Sequence, residues 1–323
     1  MKFHLLYWRL FCITLFGALI GFFLSTYWPF SFFSAVVIDH EELMVSDLAA
    51  QVDSDFSLRS SDQVVTRDLA QPSKVIPGEL VVHFDNRNDY LAYLEALTNA
   101  GITPLGQIDM LLAVRIPESA LLEANFGQFG ARSSYSYRIE CPLPPVEIDP
   151  EALASLRAYG LSACAITGGF IAGQGEGVIV AILDSGIQAH PQFDEVYIVP
   201  VDLAGGGMAG LGAAHGTSVA SIITGSEGIA PAAELFVVRL LDEEGSGNSY
   251  HVAQGIVRAV DFGVQIINMS LGVYQDSPLL RQAVKYADDR GVIMVAAAGN
   301  DGYDHIPYPA AYSQVLAVTA VDA

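Results

Sequence analysis

The sequence predicts an α/β protein in which a parallel sheet flanked by helices follows a smaller α+β domain. Residues 178–183 are six apolar, mostly β-branched residues with no polar interruption, the pattern of a strand covered on both faces. From there onward apolar runs alternate with helix-patterned segments, as in a sheet whose strands are joined by crossover helices. Before it, residues 79–139 read as β-α-β-β-α-β, the ferredoxin-like order.

Each element has its own signal. Residues 178–183 stop at Asp184, and Ser185-Gly186 turns the chain. The carboxyl end of a central parallel strand is where open α/β sheets place their working residues. Residues 215–224 predict a helix closed by Gly225, and residues 234–241 a strand. Residues 249–262 predict a helix capped by Ser249 and ended by Gly263, followed by a strand over 264–269. Ser277-Pro278 supplies a cap and a proline at the first helical position, and Gly291 ends that helix. Residues 292–298 and 315–321 predict two further strands. Upstream, Pro77-Gly78 opens the smaller domain. Residues 79–84 predict a strand, and residues 89–100 a helix with Leu91, Leu94 and Leu97 on one face and Gly101 as its stop. Two short strands follow around residues 107–110, then a helix from Pro117 carrying Leu121 and Leu122, then an extended piece near 135–139.

Composition narrows the function. A chain of 323 residues accommodates about two domains, and 52% hydrophobic residues supply ample core. A formal charge of -21 excludes nucleic acid or an anionic membrane surface as the main partner. Cys12, Cys141 and Cys164 fit no zinc spacing, and an odd count gives no disulfide framework. A Cys141–Cys164 bridge stays open in an oxidising compartment. The glycine-rich run at 173–177 precedes a strand and opens no helix, so it lacks phosphate-binding geometry. His4, His40, His83, His190, His251 and His305 have no partners at metal-ligand spacing and read as surface or loop residues.

The N-terminus has a separate character. Lys2 and Arg9 precede a stretch, residues 10–38, without a charged side chain, and Asp39, Glu41 and Glu42 follow it. About 20 apolar residues span a bilayer as a helix, and the basic flank predicts a cytoplasmic N-terminus with the rest outside. The expectation is a signal-anchor segment over 1–38, attached to the membrane through residues 10–30. A cleaved signal peptide is the alternative, and no Ala-x-Ala follows the long apolar stretch to favour it. Residues 39–74 are polar and acidic and predict a linker.

Four motifs carry a resemblance: Asp184-Ser185-Gly186, His215-Gly216-Thr217, Asn268-Met269-Ser270-Leu271-Gly272 and Ala296-Ala297-Ala298-Gly299-Asn300. Together, over roughly residues 150–323, they resemble the subtilisin-like serine proteases. The resemblance implies that Asp184 orients an imidazole, that His215 is the general base, and that Asn300 donates to the oxyanion. It implies that Ser270, Leu271 and Gly272 pair with substrate backbone, that the small Ala298 and Gly299 leave room for a substrate residue, and that Tyr308 and Pro309 line the pocket beside the cleaved bond. Residues 75–140 then correspond to an inhibitory propeptide, 141–150 to a processing linker and 151–323 to an incomplete catalytic domain. An independent binding module is the other reading of 75–140.

The family's nucleophile motif lies beyond the Asn300 region and is not found in these residues. Ser218 stands three residues from His215 at the same helix start and is not expected to replace it. The expectation is a fragment or a truncated chain, with a catalytically inactive binding protein as the alternative. A different α/β domain, with Asp184 and His215 far apart, is a third. No cofactor is required and no metal ligand is assigned. Gln192 stands where members with a tight calcium site place an Asp, so only weaker structural calcium stays open. The implied partners are polypeptide substrates, the chain's own propeptide in the cleft, and a membrane through the N-terminal segment, in an extracytoplasmic location.

Overall fold

The computed structural model describes residues 33–38, 75–121, 129–140, 173–226, 228–299 and 305–322. The first elements are β1 (Phe33–Ile38), β2 (Glu79–His83), α1 (Arg87–Asn99), β3 (Gly106–Ile108), β4 (Ala113–Pro117), β5 (Arg132–Ser134) and β6 (Arg138–Glu140). Then come β7 (Ile179–Asp184), β8 (Ile198–Asp202), α2 (Ala214–Ile223), β9 (Glu234–Arg239), β10 (Ser246–Asn248) and α3 (Ser249–Phe262). The last are β11 (Ile266–Met269), α4 (Pro278–Asp288), β12 (Ile293–Ala297) and β13 (Val315–Asp322). The expected signal anchor falls on residues 1–38, of which 1–32 lie outside the described residues; residues 33–38 form β1. The expected linker at 39–74, the processing linker at 141–150 and all three cysteines also lie outside. Among the described residues no helix is long and apolar enough to cross a membrane.

The smaller domain is a four-stranded sheet in the order β3-β4-β2-β5, antiparallel throughout. That is the ferredoxin-like arrangement, with the two central strands β2 and β4 side by side. Alternation along the strands splits their side chains between two cores. Leu80, Val82, Val114 and Ile116 pack with Tyr90, Tyr93 and Leu97 of α1, while Val81 and Ala113 join the core of the larger domain. Asn86 caps α1 by accepting from the Asp89 amide at 2.9 Å. The buried stripe of α1 is Tyr90, Tyr93 and Leu97, which corrects the expected leucine face: Leu91 is 48% exposed. The tyrosines carry the i, i+3, i+7 spacing that a single helical face requires, and Leu91 lies off it.

Two further expectations shift. Pro117 closes β4 and does not open a helix; a short 3₁₀ turn, Glu118–Leu121, follows it, and Leu122 lies outside the described residues. The last strand of this sheet is β5, earlier than the expected 135–139. The chain then leaves the sheet, and β6 pairs antiparallel with β10 of the larger domain.

The larger domain is built on a seven-stranded sheet in the order β1-β13-β12-β11-β7-β9-β8. All pairs from β13 to β8 are parallel, and β1 adds antiparallel at the β13 edge. The apolar run of β7 is explained by burial on both faces. Val180 and Ile182 face a core shared with Val219, Ala220 and Ile223 of α2. Ala181 and Leu183 face a second core shared with α3 and α4. Ser277 caps α4, accepting from the Leu280 amide, with Pro278 in the first turn. At α3 the cap is Asn248, whose side chain accepts from the His251 amide at 2.8 Å, rather than the expected Ser249. Gly263 ends α3 with φ +97°, a conformation glycine adopts without strain.

Candidate active site

Because β7, β9, β11 and β12 are parallel neighbours, their carboxyl ends share one edge of the sheet. Asp184 ends β7, Ser270-Leu271-Gly272 follows β11, and Ala298-Gly299 follows β12. Asn300 lies outside the described residues.

At the centre of this edge the His215 Nδ1 lies 2.8 Å from Asp184 Oδ1 and 2.9 Å from Oδ2. Asp184 is fully buried, and the His215 side chain is 9% exposed. Burying a carboxylate without partners is costly; here it also accepts from the Ser185 amide at 2.6 Å. With the carboxylate ionised, Nδ1 carries the imidazole proton and Nε2 the lone pair. The expected alternative, with these two side chains far apart, is excluded.

The local sequence explains the contact. A Cβ on Gly216 would fall within contact distance of Gly186 O and at 3.1 Å from Asp184 Oδ1, so only glycine lets α2 begin against the β7 turn. The Gly216 amide donates to the Ser185 hydroxyl at 3.2 Å. Thr217 Oγ1 accepts from the Gln188 amide at 2.9 Å and donates to Ala213 O at 2.7 Å. Asp-Ser-Gly and His-Gly-Thr therefore lock together through the Asp184–His215 pair, the Ser185 hydroxyl on the Gly216 amide and the close approach of Gly216 to Gly186. Ser218 spends its hydroxyl on Ala214 O at 2.9 Å, inside its own helix.

The remaining expected residues form a strip beside this pair. Leu271 is buried, and Asn268 Nδ2 donates to the Ser270 hydroxyl at 3.1 Å. Val273 and Tyr308 exchange two backbone hydrogen bonds, at 2.9 and 2.7 Å. Gly272 lies so near Pro307 that a Cβ would meet its ring at 2.9 Å; its close approach is to the chain's own loop. Gly299, at φ +89°, packs near Pro307 and Tyr274. Pro309 is buried and Tyr308 half-buried, its ring 4.7 Å from that of Tyr312.

Several contributors were not anticipated. Arg239 ends β9 in register with Asp184, is 4% exposed, and donates to Leu241 O at 3.2 Å and to Gly207 O. It pins the glycine-rich loop beside the Asp184 turn; a lone cation closing an apolar strand was the available signal. The strip Ser246–Asn248 accepts β6 as an added strand, with Ser246 opposite Glu140, Gly247 opposite Ile139 and Asn248 opposite Arg138. Ile139 is fully buried there. Only Gly245 and Gly247 around Ser246 hinted at a strip that another backbone approaches. Gln192, far from the pair, donates to Ser221 O and, at 3.0 Å, to Thr224 O, tying down the last carbonyls of α2. Among the described residues no cluster of three or more His, Cys, Asp or Glu is positioned to hold a metal.

A parallel sheet with a buried Asp-His pair at its carboxyl edge, and an added strand lying along the adjoining strip, defines a subtilisin-like domain. Residues 175–323 match the family model described as "Subtilase family". The sequence is similar to subtilisin Savinase of Lederbergia lenta, 42% identical over 157 residues, which are 46% of this chain and 57% of that protein. It is also similar to thermitase of Thermoactinomyces vulgaris, 37% identical over 187 residues, covering 52% and 63%. The fold is similar to that of fervidolysin from Fervidobacterium pennivorans, a keratinolytic enzyme related to subtilisin, with a TM-score of 0.56 and 23% identity. That match covers 75% of this chain and 43% of the other. It is a larger share than residues 175–323 amount to, so the likeness reaches beyond them. The chain spans roughly half the length of the curated relatives it matches, 42% of the thermostable alkaline protease of Halalkalibacterium halodurans and 57% of subtilisin Savinase.

Proposed function

We propose that the chain is part of an extracytoplasmic serine endopeptidase of subtilisin type, made as a proenzyme. The observation that carries this is the Asp184–His215 contact, a buried carboxylate on Nδ1 of an imidazole at 2.8 Å, at the carboxyl edge of the sheet. An imidazole held in that tautomer offers Nε2 as a general base. In the proposed reaction a serine outside these 323 residues attacks the scissile carbonyl and passes its proton to His215 Nε2. Asp184 stabilises the imidazolium formed. The Asn300 side-chain amide donates to the developing oxyanion. His215 then returns the proton to the leaving amine, and water repeats the cycle on the acyl-enzyme. No cofactor is needed for any step.

Polypeptide is the proposed substrate class. The strips at 246–248 and 270–272 are proposed to take an extended peptide by strand addition, with Ala298, Gly299, Tyr308 and Pro309 around the residue before the cut. The pairing of β6 with β10 supports reading residues 75–140 as an inhibitory prosegment whose tail occupies the cleft. Processing then falls between about residues 139 and 151. A relative named minor extracellular protease Epr, of Bacillus subtilis, is 40% identical over 162 residues and supports the extracytoplasmic location. Attachment through residues 10–30 is part of the proposal.

The test uses the full-length protein with its serine. Hydrolysis of a peptide ester is expected, lost on His215→Ala with the fold retained, and processing of residues 139–151 is lost with it. Turnover in His215→Ala contradicts the assignment. Absence of turnover in the unaltered full-length protein favours the inactive binding protein.

A further inference from the structure

His83 and His251 take no part in the proposed reaction, yet both sit in the seam between the two domains. Neither is the surface residue expected from the sequence. On β2 the side chains alternate, so Leu80 and Val82 face α1, whereas Glu79, Val81 and His83 face the larger domain. His83 is 3% exposed. Its Nε2 meets the Ser134 hydroxyl on β5 at 2.6 Å. Its Nδ1 is buried short of a full hydrogen bond, as is Oε1 of Gln282 on α4, and the two side chains act on each other across the seam. The charge acting on His83 is Arg132 of β5, itself paired with Asp85.

His251 lies at the start of α3, on the other side of the same seam. Its Nδ1 accepts from Asn248 Nδ2 at 3.3 Å, and the Tyr250 ring stands 6.0 Å away. The charge acting on it is Arg115 of β4, from the smaller domain. That guanidinium lies 4.6 Å over the Tyr250 ring and pairs with Glu79 at 3.6 Å. His83 is thus buried at the seam and His251 half-buried there, each beside an arginine. A second positive charge at either place is both desolvated and repelled.

We infer that the seam is acid-labile: protonation of His83 and His251 uncouples residues 75–140 from α3 and α4, and so draws β6 out of the 246–248 strip. The inference rests on the proposed prosegment for its consequence, release of an inhibitor, and on the seam alone for its physics. Burial first, and the neighbouring arginine second, hold His83 and His251 each down to about 4, from the usual 6.5. The docked form therefore keeps both imidazoles neutral, while the undocked form takes up protons below pH 6.5. Docking is intact above that pH and is lost progressively as the pH falls toward 4. Where undocking restores the ordinary value, the opening equilibrium rises about 20-fold per histidine between pH 7 and pH 5, and several hundred-fold for both.

The test is hydrogen exchange on the full 323-residue chain, corrected for the intrinsic pH dependence of exchange. Between pH 7 and pH 5 the amides of 138–140 and 246–248 are expected to lose protection at least 10-fold relative to β11 and β12. A His83→Gln/His251→Gln variant is expected to keep it. Unchanged protection in the wild type down to pH 4.5, or an equal loss in the variant, overturns the inference. If the variant lacks seam protection even at pH 7, the wild-type midpoint decides: between 4 and 6.5 supports the histidines, and below 4 assigns the effect to carboxylates and overturns it. An acid-labile seam together with processing that persists in His215→Ala would remove the prosegment reading alone.

Discussion

Ser249 and Tyr137 exchange two hydrogen bonds across the domain seam. The Ser249 amide donates to Tyr137 O at 2.8 Å, and the Ser249 hydroxyl accepts from the Tyr137 amide at 3.0 Å. The hydroxyl that the sequence suggested as a helix cap thus holds the segment that leads into β6. Ser249→Ala leaves the Asn248 cap intact and orphans a half-buried amide, at a cost of about 1–3 kcal/mol. The expected result is faster hydrogen exchange at residues 137–140 with α3 unchanged. Unchanged exchange there would contradict the contact.

Ile139 anchors the same segment through packing. Its side chain is fully buried and belongs to the core it shares with Leu240, Leu241 and Ala253. Ile139→Ala removes buried methyl groups and leaves a cavity, for a loss of about 2–5 kcal/mol. Because the residue belongs to the smaller domain's tail, the loss should appear as weaker docking. Limited proteolysis after residue 134 is expected to accelerate in the variant. A wild-type cleavage rate would show that the pocket contributes little.

Gly216 lies at the tightest point between α2 and the β7 turn. Gly216→Ala places a Cβ against Gly186 O and near Asp184 Oδ1, and overpacking of this kind costs about 1–3 kcal/mol. A lower melting temperature for the subtilisin-like domain is the expected outcome, with His215 displaced from Asp184. An unchanged melting temperature would mean that the turn has more slack than its geometry indicates.

The parts of this protein that were legible in the sequence are those set by local chemistry. The β7 run could be read because a strand buried on both faces shows no alternation. Asp184 and His215 could be paired because each ends or begins an element beside a glycine. The leucine face of α1 misled because tyrosines buried there rank below leucine in hydrophobicity, yet Tyr90 and Tyr93 carry the right spacing. The buried place of His83 and the half-buried place of His251 could not be recognised, since both lie at a seam with residues far away in sequence. The β6–β10 pairing and Arg239 share that origin: both depend on contacts that no local pattern encodes.

The central claim is that Asp184 and His215 act as one unit, and a double-mutant cycle on the full-length protein tests it most directly. Hydrolysis of a peptide ester is measured for Asp184→Asn, His215→Ala and the double variant. Asp184→Asn is expected to lower kcat by about 10⁴-fold, with the double variant no worse than His215→Ala alone. Losses that multiply, or turnover that survives His215→Ala, would contradict the account.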